Sequence, residues 1–170
     1  GFARELAAIV PQFGKKALLR PFGVSLDKTS VKDDLLYIED QKRLVNRICA
    51  VVVDVTEINN SAPYIAKRLE LAGVRSINNI VDITNYVMLE VGHPVHAFDY
   101  DRLSTGKLIF RYAMKGEKLT TLEDKTYQLC EDDIIIDDST GRIVDLPGII
   151  GTSNSVITKD TKRVIFFVES

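Results

Sequence analysis

Two cysteines, two histidines, five prolines and ten glycines are all that 170 residues contain of the types that most constrain a chain. Cys49 and Cys130 are too few and too scattered for a disulfide framework or a zinc site, so apolar packing must hold the fold. With no signal-like N-terminus, a reducing cytoplasm is the expected compartment. No uncharged apolar run reaches the ~18 residues a membrane helix needs, so no membrane partner is expected. The rarity of glycine and proline excludes collagen-like and low-complexity chains. An excess of basic charge is missing too: 22 Lys and Arg against 24 Asp and Glu leave a net charge of −2. Non-specific affinity for polynucleotides comes from cations displacing phosphate counterions, so any such partner must be held mainly by something else. An apolar content of 45% excludes intrinsic disorder, and the length suits one domain or two small ones sharing a core. Gly1 in place of Met, and Ser170 directly after an apolar run, give the expectation of a piece excised from a longer chain.

Residues 3–10 read as a helix closed by Pro11 and Gly14. Lys32 to Asp40 reads as an early strand, and the charged stretch Asp40 to Arg47 as the boundary between a lead-in (1–40) and the main domain (41–170). Arg47 to Glu57 is β-branched and apolar, a pattern that predicts a buried strand. Ser61 and Pro63 then start a helix with Tyr64, Ile65, Leu69 and Ala72 on one face and Gly73 as its cap. A second helix spans Asn79 to Val91, with Gly92 and Pro94 as stops. From Lys107 short alternating segments take over: 107–113, 117–122, 125–129, 134–136, 143–146 and 163–168. Helices early and many short strands later predict an α+β domain.

Polar groups concentrate between Val74 and Asp101, where Arg75, Asn78, Asn79, Asp82, Thr84, Asn85, both histidines and Asp99 occur. Two explanations fit. Either these residues line a cleft, or Asn79 caps its helix, Asp82 and Asn85 form its wet face, and Arg75 pairs with a carboxylate. His96 has apolar neighbours and suits a partly buried ring fixed by one hydrogen bond. Ligation of a metal by His93 and His96 is disfavoured by the proline turn between them and the lack of a nearby thiol. In LPGIIGT (146–152), Gly148 and Gly151 permit positive φ or close backbone approach, but no phosphate-loop pattern surrounds them. Glu169 follows the apolar run 164–168 and either projects into a cleft or is solvated at a frayed end.

The run INNIVDITNYVMLEVGHPVHAFDYDRL (Ile77 to Leu103) resembles the B3/B4 domain of the bacterial phenylalanyl-tRNA synthetase β subunit. RYAMKGEKLTTLEDKTYQL, DDIIIDD, LPGIIG and the last strand with Glu169 extend the likeness over roughly residues 40–170. The resemblance implies a layered β/β/α domain of mostly antiparallel strands within a cytoplasmic (αβ)₂ heterotetramer. Aminoacylation would belong to the α subunit, with ATP and Mg²⁺; this domain would need no cofactor and no metal. It would hydrolyse tyrosine wrongly esterified to tRNA(Phe). By match of motif, Arg75 and His96 would line the ester end, Thr84 and Asn85 the pocket wall, and Gly148 and Gly151 a loop against the aminoacyl group. Glu169 would recognise the tyrosyl hydroxyl.

The family pattern is broken in three places. Pro147 stands where a small residue is usual, Thr152 replaces the second glycine of a pair, and two extra residues separate Thr161 from Glu169. The last departure puts Phe167 where the family's glutamate is expected. Either the strand bulges and Glu169 still reaches the pocket, or the domain is a structural, tRNA-positioning module whose editing site has decayed. Which of Phe167 and Glu169 stands beside His96 separates the two.

Overall fold

The computed structural model describes residues 2–20, 23 and 35–170. The chain divides into two compact units, Gly1–Lys32 and Asp33–Ser170. In the first, helix α1 (Phe2–Ile9) runs into a 3₁₀ turn (Val10–Phe13), and Gly14 closes it at φ 73°. Of the strand expected over 32–40, residues 32–34 lie outside the described residues and Tyr37–Glu39 is a strand. The Asp40–Arg47 stretch lies within the second unit, where the Asp40 carboxylate accepts from the backbone N–H groups of Leu44 and Val45. Among the described residues no helix is long and apolar enough to cross a membrane.

In chain order the second unit comprises β1 (Tyr37–Glu39), β2 (Ile48–Asp54), α2 (Pro63–Leu71), α3 (Asn79–Val91), β3 (His96–Asp99), β4 (Lys107–Tyr112), β5 (Lys118–Thr120), β6 (Thr126–Gln128), β7 (Ile134–Asp137), β8 (Ile143–Leu146), β9 (Ile150–Gly151) and β10 (Arg163–Glu169). A five-stranded sheet has the order β1-β4-β7-β8-β9, a three-stranded sheet the order β2-β10-β3, and β5-β6 form a hairpin. All pairings are antiparallel except β1 with β4. This is the α+β class expected. The segments predicted beyond Lys107 all form strands; β3 and β9 were not foreseen, being short and, in β3, half polar.

The two larger sheets pack face to face. Leu108, Phe110, Ile136 and Val144 from one meet Phe98, Ile165 and Phe167 from the other in the main core. Phe167 stacks on Phe110 (5.8 Å between centroids) and tilts against Phe98 (5.9 Å). Side chains alternate along a strand, so the other face of β10 presents Val164 and Phe166, which pack with Ile80 of α3 and with Ile58 and Ile157 of neighbouring loops. Strand β10 is thus covered on both faces, and this accounts for its unbroken apolar run. A third cluster (Ala113, Leu119, Leu129, Ile135, Ile143) lies where the β5-β6 hairpin covers the five-stranded sheet. Arg111 ties that hairpin down, pairing with both oxygens of Glu117 (2.9 and 2.7 Å) and with Asp137 (2.7 Å).

Strand β2 departs from expectation. It is an edge strand, with Cys49, Ala50, Val51 and Val53 exposed and only Ile48 and Val52 turned to the core. Its β-branched run reflects sheet propensity rather than burial. The helix starts are corrected as well. Ala62 is the N-cap of α2, with no side-chain bond, because the Ser61 hydroxyl donates instead to Asp82 in α3. Asn78, not Asn79, caps α3, its side chain accepting from the N–H groups of Ile80 and Val81. Asp82 is fully buried rather than on a wet face, and accepts from Ser61, Ser76 and the Ile77 N–H. Burial pushes its pKa up, but these bonds outweigh burial and hold it below the usual carboxylate range.

Phe167 has no exposed surface and fills the space between the sheets. Phe167→Ala is expected to cost about 3–5 kcal/mol of stability, read as a lowered urea midpoint at unchanged slope.

Candidate functional site

His96 opens β3 and stands directly across from Phe167 of β10. Paired residues share a face, and so does the residue two further along the strand. Glu169 therefore lies diagonal to His96, on the side facing the five-stranded sheet. The β10–β2 register is continuous from Arg163 to Glu169, with no bulge. Two extra residues are an even number, which preserves side-chain direction along a strand. Phe167 turns into the core, and Glu169 is the residue that meets the histidine.

His96 Nε2 approaches Glu169 Oε1 at 3.5 Å. On the other side of the ring, Nδ1 lies 4.0 Å from Oδ2 of Asp145, a residue of β8 that the sequence reading passed over. The Phe98 ring lies parallel to the imidazole, 6.3 Å away. Asp145 is completely buried, whereas His96 keeps 22% of its side-chain surface exposed. Four buried polar atoms here have no hydrogen-bond partner: His96 Nε2, both Asp145 carboxylate oxygens and Glu169 Oε2. Unpaired buried polar atoms are costly and rare, so their concentration at one point sets this place apart from the rest of the fold.

Charge balance follows from the same geometry. Burial pushes the Asp145 carboxyl up to about 7; the His96 charge opposes this and the Glu169 charge adds to it. The approach of Glu169 is the largest influence on His96 and raises its pKa above the ordinary 6.5; burial opposes, and the Asp145 charge reinforces the rise. His96 and Asp145 thus retain protons that they would release in an unfolded chain. Although it contains three residues of metal-ligating type, no group of three or more His, Cys, Asp or Glu among the described residues is arranged to hold a metal ion.

The remaining candidates are placed as follows. Gly151 belongs to the cluster: it pairs with Asp145, and a Cβ built on it would stand 3.7 Å from Asp145 Oδ1 and 3.4 Å from Leu122. Gly148 serves another purpose. The Ile149 N–H bonds the Leu146 carbonyl (3.0 Å) around Pro147 and Gly148, and Gly148 has φ 73° with open space around it. Proline followed by a glycine at positive φ is the composition of a type II turn, so Pro147 shapes the β8-β9 connection. Thr152 is buried, its hydroxyl donating to the Val144 carbonyl (2.8 Å). The Thr84 hydroxyl donates to the Val81 carbonyl within α3, and Asn85 is half-buried. Arg75 is exposed and, among the described residues, forms no ion pair, contrary to the carboxylate pairing considered for it. No hydrogen bond or ion pair joins Arg75, Thr84 or Asn85 to the cluster. Nor is the His96 ring fixed by the one hydrogen bond expected of it, since its Nε2 has none.

A model of the B3/4 domain matches residues 44–170. The chain belongs to the B3/4 domain family. It is 40% identical over 168 residues to the phenylalanine–tRNA ligase β subunit of Anaeromyxobacter dehalogenans, covering 97% of this chain and 20% of that one. It is 39% identical over 165 residues to the β subunit of Geobacter metallireducens, with the same coverage. The chain spans about a fifth of the length of these relatives. Among solved structures it matches the crystal structure of an N-terminal fragment of the phenylalanyl-tRNA synthetase β subunit from Pyrococcus horikoshii. That likeness has a TM-score of 0.58 at 16% identity and covers 87% of this chain and 46% of the other. It shows a shared fold. The resemblance read from the 77–103 run is thereby borne out.

In this B3/4 domain His96 and Glu169 lie side by side, 3.5 Å apart at their nearest atoms.

The raised pKa values fix a sign for stability against pH. Asp145 keeps its proton in the fold from its ordinary 3.8 up to about 7, so its contribution falls as pH rises through that range. His96 contributes fully below its ordinary 6.5 and loses that contribution as pH rises through its higher folded value. Urea midpoints are expected to fall between pH 5 and pH 8, and Asp145→Asn to flatten that fall.

Proposed function

We propose that this domain is the editing module of a phenylalanine–tRNA ligase β subunit, hydrolysing tyrosine wrongly esterified to tRNA(Phe). On this reading it works in the cytoplasm beside an α subunit in an (αβ)₂ assembly whose ATP and Mg²⁺ serve aminoacylation elsewhere. The observation that carries it is the buried, unpaired cluster of His96, Asp145 and Glu169. A pocket separates two substrates weakly when one merely adds a hydroxyl, but strongly when its own buried groups require that hydroxyl. Tyrosine satisfies Glu169 by donating its phenolic hydrogen; phenylalanine leaves the carboxylate buried and unpaired.

On this reading His96 stands at the hydroxyl end with Glu169, in place of the ester end that the family motif implies for it. Hydrolysis at the other end asks for a positioned water and donors facing the developing oxyanion. Arg75 and the backbone around Gly148 are the candidates there, with Thr84 and Asn85 along the wall. The rival reading, a tRNA-positioning module with a decayed site, rested on Pro147, Thr152 and the displaced glutamate. Pro147 shapes a turn, Thr152 bonds within the core, and Glu169 meets His96, so these three departures by themselves do not favour the rival.

The intact synthetase incubated with preformed tyrosyl-tRNA is expected to release tyrosine well above the spontaneous rate. Glu169→Gln is expected to slow this roughly 10- to 100-fold, the value of one hydrogen bond to a charged group, and His96→Ala to slow it as well. Release at the spontaneous rate by the unmodified enzyme would remove the reading.

A further inference from the structure

Asp145 sits between Val144 and Leu146 in a strand where Ile143 and Val144 are buried, it has no exposed surface, and among the described residues neither carboxylate oxygen has a hydrogen-bond partner. An alanine or valine would satisfy β8 better, because a buried carboxylate without partners is a net cost to the fold. Among the described residues its one ion-pair neighbour is His96, 4.0 Å away. The bare backbone of Gly151 passes beside its other oxygen. Among the described residues, the charged groups within ion-pair distance of the imidazole are Asp145 from β8 and Glu169 from β10. The remaining close neighbours are the rings of Phe98, stacked on it, and Phe167, its partner in register.

This arrangement constrains the proton on the ring. With Nδ1 turned to Asp145 and Nε2 to Glu169, a neutral imidazole must aim a lone pair at one carboxylate once Asp145 has given up the proton it holds to about pH 7. A doubly protonated ring aims an N–H at each. We infer that Asp145 is a positioning residue that keeps His96 doubly protonated, so that Nε2–H and Glu169 together offer a donor and an acceptor to one ligand hydroxyl.

A hydroxyl is the small group that donates and accepts at once. It gives its hydrogen to Glu169 and takes one from His96 Nε2. A hydrogen, methyl or halogen at the same place leaves both unanswered. Asp145 does not touch the ligand; it acts through the ring. The inference rests on the editing reading for the identity of the ligand, but its physical core, the coupling of Asp145 to His96, does not.

The chain contains two histidines, His93 and His96, so NMR titration of the ring nitrogens resolves them, with His93 as internal reference. In Asp145→Asn, whose side chain keeps the same shape, His96 is expected to titrate at least about one pH unit lower than in the unmodified protein, as removal of an opposite charge at this distance requires. His93 should not move. In the intact synthetase the alkaline limb of tyrosyl-tRNA deacylation should shift down by the same amount, with the loss carried by KM rather than kcat. Should Asp145→Asn fail to fold, Asp145→Ala and Asp145→Ser give the same readout. An unchanged His96 titration in a folded variant overturns the inference, whether or not the enzyme hydrolyses the ester. A lowered His96 titration with no hydrolysis by the unmodified enzyme sustains the coupling and removes the editing reading instead.

Discussion

The site depends on the burial of β10 on both faces. Phe167 and Ile165 are gripped between the sheets, while Val164 and Phe166 pack against Ile80 of α3 and the neighbouring loops. A strand held this way cannot slip by one residue without turning every core side chain to the wrong side. Its end is therefore fixed, and Glu169 is delivered to His96 by the same alternation that delivers Phe167 to the core. Side-chain parity explains how a chain with two additional residues before its glutamate still brings that carboxylate to the histidine.

Stability and chemistry compete around this point. The main core is apolar and closely packed, whereas the His96 cluster places a buried aspartate, a glutamate and an imidazole where hydrogen bonds are missing. Contrast Asp82, equally buried, whose carboxylate accepts two hydroxyls and a backbone N–H and so anchors α3. One aspartate is fully answered and its pKa falls; the other is unanswered and its pKa rises. Both sit in the interior of one domain, and the difference lies in the donors around them.

Much of the fold was legible from local pattern. Helix α3 matches the span read from its 3.6-residue periodicity, with Gly92 ending it at positive φ. The short strands after Lys107 announced themselves by alternation between turn residues. What failed had a common cause, the assignment of burial and partners from neighbours in sequence. The β-branched run of β2 looked buried and lies on an edge; Asp82 looked wet and is enclosed; Ser61 looked like a cap and serves a helix 21 residues away. Strand β3 was missed because half of its four residues are polar: His96 belongs to the cluster, and Asp99 accepts from Thr161 and the Asp101 N–H.

The sequence alone determined the class of fold, the helix and strand spans with strong periodicity, and the family likeness, since each is written in residues close together along the chain. It also named His96, Gly151 and Glu169. Which of them meet was decided by tertiary structure. Asp145, Gly151, His96 and Glu169 come from four strands in two sheets, and only the packing of those sheets brings a carboxylate from the middle of β8 against an imidazole at the start of β3. Contacts of that range depend on register and sheet stacking, which no local stretch encodes.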